Sequence, residues 1–321
     1  MTTRDHRQQL SLLVKQLTWE ADGVLSVLLV DPDGKPLPPW QPGAHVDVTL
    51  GNGLVRQYSL CSDPDDRCAY RVAVLREQDS RGGSVYVHDR LRPGDTVTVA
   101  EPLNNFEVRS AEKYLFIAGG IGITPLLPMV RATAESGADW RLLYGGRRRA
   151  SMAFLDELNR YGSRVDVVAE DERGMLDLDS WLTEPTSGML VYCCGPEGLI
   201  TAVEQRCEAW PTGTLQVERF SPKPQPVPDA DAERGFEVVC RRSGITVQVP
   251  PTCTIMETLR AAGIDVPSSC EEGICGTCET AVIDGVPDHR DSILSDAERA
   301  ENTTMMICVG RSLSDRLVLD R

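Results

Sequence analysis

Residues 267–280 read PSSCEEGICGTCET, and a fourth cysteine, Cys308, follows Cys278 by 30 residues in the apolar stretch MMICVG, residues 305–310. Cys270, Cys275 and Cys278 therefore stand at C-x4-C-x2-C. One short loop offers three thiolates and a distant strand region offers the fourth. Gly273 and Gly276 sit between the cysteines, where glycine lets the backbone adopt positive φ and bring its amides close to sulfur.

Four thiolates around two irons is the requirement of a [2Fe–2S] cluster, and this is the plant-type ferredoxin spacing. Zinc is the alternative occupant. Structural zinc favours paired C-x2-C units, however, and only one such pair exists here. The flanks agree with a ferredoxin β-grasp: FEVVCRRSGITVQVP (236–250) predicts a hairpin, and TIMETLRAAG (254–263) predicts a helix closed by Gly263.

Upstream of this region, residues 221–234 read SPKPQPVPDADAER, with four prolines in the first eight positions. Proline favours an extended spacer, and the acidic remainder has nothing to bury. The chain is thus expected to divide into a domain at 1–110, a second at 111–220, a linker at 221–234 and a ferredoxin domain at 235–321. The first 110 residues alternate in short segments, such as Ala44–Leu50, Leu54–Leu60, Tyr70–Leu75 and Thr96–Ala100, separated by turn signals. That texture predicts an antiparallel β-barrel or sandwich. From Lys113 the pattern becomes strand, helix, strand: YLFIAGG (114–120), a helix over 125–136 capped by Gly137, RLLYGG (141–146), RVDVVAE (164–170), MLVYCCG (189–195) and a helix from Pro196. This predicts a doubly wound α/β domain.

Composition narrows the function classes. The 321 residues are 41% hydrophobic and 25% charged, the proportions of a soluble globular protein. No run of eighteen apolar residues suggests a membrane span, and the polar start is unlike a signal peptide, so the cytoplasm is expected. Thiols stay reduced there, and 11 cysteines then read as metal ligands or buried residues rather than disulfides. A net charge of −15 disfavours nucleic acid and anionic membranes as partners.

Two sites for organic cofactors emerge from the first 220 residues. A flavin needs an aromatic wall, a hydrogen bond near its N5 and a phosphate cradle. Tyr58, Ser59, and Arg56 with the amides of Gly82–Ser84 can supply these in turn. The plainer alternative is an exposed sheet face in RQYS and a simple turn and cap in RGGS. For a nicotinamide nucleotide, AGGIGITP (118–125) follows an apolar strand and opens a helix, with Thr124 expected as cap and Pro125 as first helical residue. Its exposed amides would face a pyrophosphate. Cys194, Gly195 and Pro196 end a later strand, where α/β sheets place ligands. Cys194 reads either as a residue beside the nicotinamide or as a buried structural thiol.

RQYS (56–59), RGGS (81–84), PLNNF (102–106), AGGIGITP (118–125), YCCGP (192–196), ERF (218–220) and SSCEEGICGTC (268–278), in this order, resemble the phthalate dioxygenase reductase family. That family lies in the ferredoxin–NADP reductase superfamily, with the ferredoxin domain fused at the C-terminus. The resemblance covers essentially the whole chain. It implies FMN rather than FAD, because RGGS looks like the family's FMN phosphate turn. It places Arg56, Gln57, Tyr58, Ser59, Ala73, Val74, Arg81, Gly82, Gly83, Ser84 and Thr124 around FMN, with Phe220 shielding the ring. It places Gly119, Gly120, Gly122, Thr124, Pro125, Arg147, Cys194, Gly195 and Pro196 around NADH. Ser59, Thr124 and Cys194 become the residues at the hydride-transfer centre, and Cys270, Cys275, Cys278 and Cys308 the cluster ligands.

The resemblance also implies electron delivery to a separate Rieske-type oxygenase or demethylase, with a cytochrome P450 as the alternative partner. A redox sensor is the competing class, though sensors often lack a competent nucleotide site. A stand-alone Rieske oxygenase would need C-x-H…C-x2-H, which four histidines do not form. Arg147, Arg148 and Arg149 depart from the acidic residue often found near the ribose of NADH. They read either as a 2′-phosphate site favouring NADPH or as a solvated helix entrance, and NADH is the expectation. Residues 235–321 carry 14 acidic and 8 basic side chains, a net −6. That charge reads either as steering toward a basic partner or as plain solubility.

Overall fold

In the segment Thr96–Ala100, Val97 and Val99 are buried while Thr96 and Thr98 are exposed, the two-residue period of a strand with one wet face. The structure, a computed structural model, describes residues 7–223 and 234–321. Of the expected linker, residues 224–233 lie outside the described residues. The chain divides into two compact units, one over 7–218 and the other beginning at Arg219.

In the first unit, β1 (Gln9–Ala21), β2 (Val24–Val30), β3 (Ala44–Thr49), β4 (Val55–Ser59), β5 (Ala69–Leu75), β6 (Thr96–Ala100) and β7 (Leu103–Asn104) form one antiparallel sheet. Its order is β4-β3-β6-β1-β2-β5, with β7 on β3. A bridge between Leu60 and Val72 joins the two outer strands, so the sheet closes into the expected barrel. Val27, Leu29, Val48, Val72, Val74 and Val97 fill the interior and leave a void of about 10 Å³. Helix α1 (Gly83–Asp89) adds Val87 to this packing.

Five parallel strands follow: β8 (Lys113–Gly119), β9 (Asp139–Gly146), β10 (Val165–Ala169), β11 (Met189–Cys194) and β12 (Leu215–Glu218). Their order is β10-β9-β8-β11-β12. Central strand β8 has Phe116, Ile117 and Ala118 fully buried, as a parallel strand covered on both faces requires. Helix α2 (Ile123–Ser136) ends at Gly137, whose φ of 77° is the left-handed cap expected there.

The start of α2 corrects the sequence expectation. A tight turn over Gly120–Gly122 delivers the chain into the helix earlier, so Gly122 flanks it and Ile123 begins it. Thr124 and Pro125 consequently lie inside the first turn rather than at the cap and the first position. The Thr124 hydroxyl donates to the Ile121 carbonyl at 2.9 Å. Pro125 is tolerated because amides of the first turn have no helical acceptor.

The barrel and the α/β module share one apolar cluster, in which Ala21, Val24, Cys61, Ala73 and Phe106 pack with Phe116, Ile123, Leu126 and Met129. No helix among the described residues is long and apolar enough to cross a membrane.

The second unit holds β13 (Phe236–Cys240), β14 (Ile245–Val249), β15 (Glu279–Asp284), β16 (Pro287–Asp288), β17 (Thr304–Met306), β18 (Arg311–Ser312) and β19 (Arg316–Leu319). The main sheet runs β14-β13-β19-β15-β17, and β13 pairs with β19 in parallel. The helix Ile255–Ala261 buries Ile255, Met256 and Leu259 against this sheet's core. Thr254 and Glu257 form a reciprocal capping box at its start, and Gly263, with φ of 82°, follows its end. Replacing Thr254 with Ala is expected to cost about 1 kcal/mol of local stability. Faster amide exchange confined to residues 255–261 would report it.

Candidate functional site

The strand order reverses direction between β8 and β11, and crevices at such switch points receive ligands at the C-terminal strand ends. Cys194 pairs with Ala118 across this boundary. The two following turns touch backbone to backbone. A Cβ on Gly122 would lie 2.3 Å from the Cys194 carbonyl oxygen, and one on Gly195 would lie 2.9 Å from Gly119 Cα. Glycine is thus required where AGGIG meets CCGP. Gly120, with φ of 54°, faces open space. A backbone free of side chains at this spot fits a pyrophosphate.

On the barrel side the two expected flavin motifs meet. Arg56 donates to the Arg81 carbonyl at 2.8 Å. A Cβ on Gly83 would lie 2.6 Å from Arg56 Nε, so the arginine lies flat against the glycine turn. Gly82, with φ of 89°, makes that turn. The cradle differs in detail from expectation. The Gly82 amide donates to Ser80 Oγ at 3.1 Å, and the Ser84 hydroxyl donates to Ser80 Oγ at 2.9 Å. Gln57 is engaged elsewhere, donating to Asp47 at 2.8 Å. Tyr58 is half-buried on the barrel core, and burial pushes its phenol up to about 12 although Arg56 opposes this. Ala73 lies in the shared apolar cluster, whereas Val74 points into the barrel. Phe220 belongs to the second unit and is exposed.

The most informative residue at the site is one the motif reading passed over. Glu218 ends β12, opposite Cys194 in parallel register, and its carboxyl is hydrogen-bonded to Ser59. Its Oε2 is shielded from solvent and has no partner. Burial pushes the carboxyl up to about 8, so near neutrality it largely keeps its proton. Burial, followed by Glu218 and Cys193, also raises the Cys194 thiol well above its ordinary value. Ser59, Cys194 and Glu218 therefore make an uncharged polar patch where the flavin strand reaches the nucleotide crevice. An orphan carboxyl oxygen there fits a ring system carrying polar edges. In the sequence the signal of Glu218 is an acidic residue ending the short alternating segment LQVE, 215–218, two positions before Phe220.

At the end of β9, Arg149 pairs with Glu172 at 3.0 Å, while Arg147 and Arg148 are exposed. The Asp171 amide donates to the Arg147 carbonyl, so the acidic segment Glu170–Glu172 stands beside the arginines.

The four expected cluster ligands converge. Cys270 and Cys275 sulfurs lie 3.1 Å apart, and Cys308 hydrogen-bonds with both Cys270 and Cys278. Cys275, Cys278 and Cys308 are buried. Gly273 and Gly276 take φ of 71° and 76°, and amides of Glu272 and Thr277 donate to Cys270 and Cys275 sulfurs at 3.3 and 3.4 Å. The Cys270 thiol is held below its usual value, first by Cys275 and then by Cys308, whereas Cys275 and Cys308 are raised by the same contacts. Four thiols linked in a chain, Cys275 to Cys270 to Cys308 to Cys278, with amides donating to two of them, suit an anionic thiolate cluster.

Comparison with known proteins agrees with this geometry. Residues 238–312 match the 2Fe-2S iron-sulfur cluster binding domain, and residues 116–205 match the oxidoreductase NAD-binding domain. The chain is 43% identical over 312 residues to phenoxybenzoate dioxygenase subunit beta of Ectopseudomonas oleovorans, covering 97% of each. It is 39% identical over 326 residues to phthalate dioxygenase reductase of Burkholderia cepacia, covering 100% of each. An intact type IV self-sufficient cytochrome P450 monooxygenase superposes with a TM-score of 0.92 at 46% identity over 98% of this chain. The chain spans only 41% of that longer protein.

Two outcomes test the site. Cys308→Ser is expected to abolish the visible absorption and reduced-state EPR signal of the iron–sulfur centre while flavin content stays unchanged. Glu218 binds a proton in the folded state that the unfolded chain releases above its ordinary value of 4.5, so its contribution to stability declines from there up to about pH 8. Glu218→Gln should therefore raise the thermal midpoint of flavin-free protein near pH 8 and leave it unchanged near pH 4.5.

Proposed function

Because the chain belongs to the phthalate dioxygenase reductase family, we propose that it is the NADH-oxidising reductase component of an oxygenase system. Electrons enter from NADH, pass by way of FMN and a [2Fe–2S] cluster, and leave to a separate Rieske-type oxygenase or demethylase. The observation that carries this reading is the apposition of Ser59, Cys194 and Glu218 at the meeting of flavin strand and nucleotide crevice.

A bound flavin supplies the conversion between a two-electron hydride donor and a one-electron acceptor. The protein's own groups hold and orient. Arg56, lying on the Gly82–Gly83 turn, would meet the flavin phosphate, and the Tyr58 ring would back the isoalloxazine. Ser59 would hydrogen-bond the ring edge, and Glu218 fixes the direction of its hydroxyl. Gly119, Gly120, Gly122, Gly195 and Pro196 would let the nucleotide backbone approach, with Thr124 lining the same turn. Cys194 stays a neutral thiol, so it shapes the nicotinamide pocket without reacting. Cys270, Cys275, Cys278 and Cys308 would bind the irons, with the Glu272 and Thr277 amides countering their charge.

The acidic segment beside β9 supports NADH over NADPH. Glu172 occupies Arg149, and Glu170 and Asp171 add like charge against a 2′-phosphate. The likeness to a self-sufficient P450 supports a second reading in which a P450 haem accepts the electrons. We place the protein in the cytoplasm, where its thiols stay reduced.

Anaerobic stopped-flow mixing of the loaded protein with NADH and NADPH, side by side, tests the assignment. Flavin bleaching followed by cluster bleaching is expected, faster with NADH. Reduction by neither nucleotide would refute the reductase reading and favour a sensor.

A further inference from the structure

Outside the crevice, Arg71 forms a half-buried ion pair at the seam between the barrel and the α/β module. Arg71 of β5 donates from Nη1 and Nη2 to the two oxygens of Glu157, at 2.6 and 3.1 Å. Its Nη2 also donates to the Cys61 carbonyl at 2.8 Å. The guanidinium carbon stands 5.0 Å from the ring centre of Phe154. Glu157 lies in the helix Leu155–Asn159 of the α/β module. Phe154 immediately precedes that helix with φ of 62°, a left-handed conformation that a bulky residue adopts only under constraint from its surroundings.

These contacts converge on the flavin strand. Cys61 is two residues beyond Ser59, and its amide and thiol both donate to the Arg71 carbonyl, at 2.8 and 3.3 Å. The loop leading to Phe154 is tied to the barrel again, the Asp22 amide donating to the Ala150 carbonyl at 2.8 Å. Around the pair, Ala21, Val24, Cys61 and Ala73 of the barrel pack in one cluster with Met152, Ala153 and Phe154.

Apolar burial holds two modules together but is non-directional, so it leaves their angle loosely fixed. A forked guanidinium bound to both carboxylate oxygens and a carbonyl admits little freedom. Ion pairs held partly out of water add little net stability, and a specific arrangement is what they can contribute. We propose that Arg71 is a positioning residue for hydride entry: by joining the carbonyl just past Ser59 to Glu157, it sets the angle at which the flavin strand faces the nicotinamide crevice. This rests on the reductase reading above, in which Ser59 and Cys194 flank the reacting rings.

The test uses two full-length variants, the apolar pair Arg71→Met with Glu157→Leu, and the milder Glu157→Gln. Cofactor-loaded protein is reduced anaerobically by NADH and by NADH deuterated at C4, and amide exchange is followed in flavin-free protein. The apolar pair should unfold at or above the wild-type temperature and bind flavin normally. Its reduction rate at saturating NADH should nevertheless fall by about tenfold or more, since small misplacements slow transfer steeply. KM should hold, the deuterium effect should change, and exchange should rise over residues 59–62 and 154–158. Glu157→Gln should show the same signs more weakly, and it decides the matter if the apolar pair does not fold. Wild-type rate, isotope effect and exchange in a folded variant would overturn the proposal. A rate that fell only in step with flavin loss or a lower unfolding temperature would mark a purely stabilising pair and would also overturn it. Failure of the wild type to be reduced by NADH would instead strike the reductase reading, and amide exchange would still judge the clamp.

Discussion

The geometry of the crevice between β8 and β11 follows from the approach of Gly119 and Gly122 to the Cys194–Gly195 backbone. Two turns, 75 residues apart in sequence, come closer than any side chain would allow. Parallel pairing of β8 with β11 brings them there, and the missing Cβ atoms let them close. A methyl group at Gly122 would push β11 away and carry Cys194, and its neighbour Glu218 on β12, out of register with Ser59. The crevice is therefore a consequence of sheet order first and of residue chemistry second.

That chemistry is governed by desolvation. A carboxyl raised to about 8 and a thiol raised further keep the patch beside Ser59 uncharged. An uncharged pocket neither repels an electron-rich ring nor offers a competing nucleophile. The same exclusion of water makes hydrogen bonds within the patch more directional than they would be at a surface. Electron transfer asks for fixed geometry rather than acid–base work, and a neutral, buried arrangement serves that end.

The cluster loop follows a different logic, because it is assembled locally. Three of its cysteines fall within nine residues, and left-handed turns at Glu271, Gly273 and Gly276 fold the loop so that amides face sulfur. Only Cys308 comes from afar. A Cβ on Gly273 would meet Val309 and Asp291, so the glycine also lets the loop settle on the segment bearing Cys308.

Short-range spacing and periodicity already mark the four converging cysteines, the barrel, the α/β texture and the two glycine-bearing turns. The sequence also indicated that Arg56 and the RGGS turn belong to one site, though not that Ser80 would take the Gly82 amide and the Ser84 hydroxyl. Packing between distant segments instead sets where α2 begins, since the turn at Gly120–Gly122 is fixed by contact with Cys194 rather than by the capping preference of Thr124. It alone revealed Glu218 and Arg71. A glutamate ending a strand and an arginine within one look like surface residues in a linear reading. What makes them consequential is burial beside partners from distant segments, which pairing order and shared packing produce and local pattern does not encode.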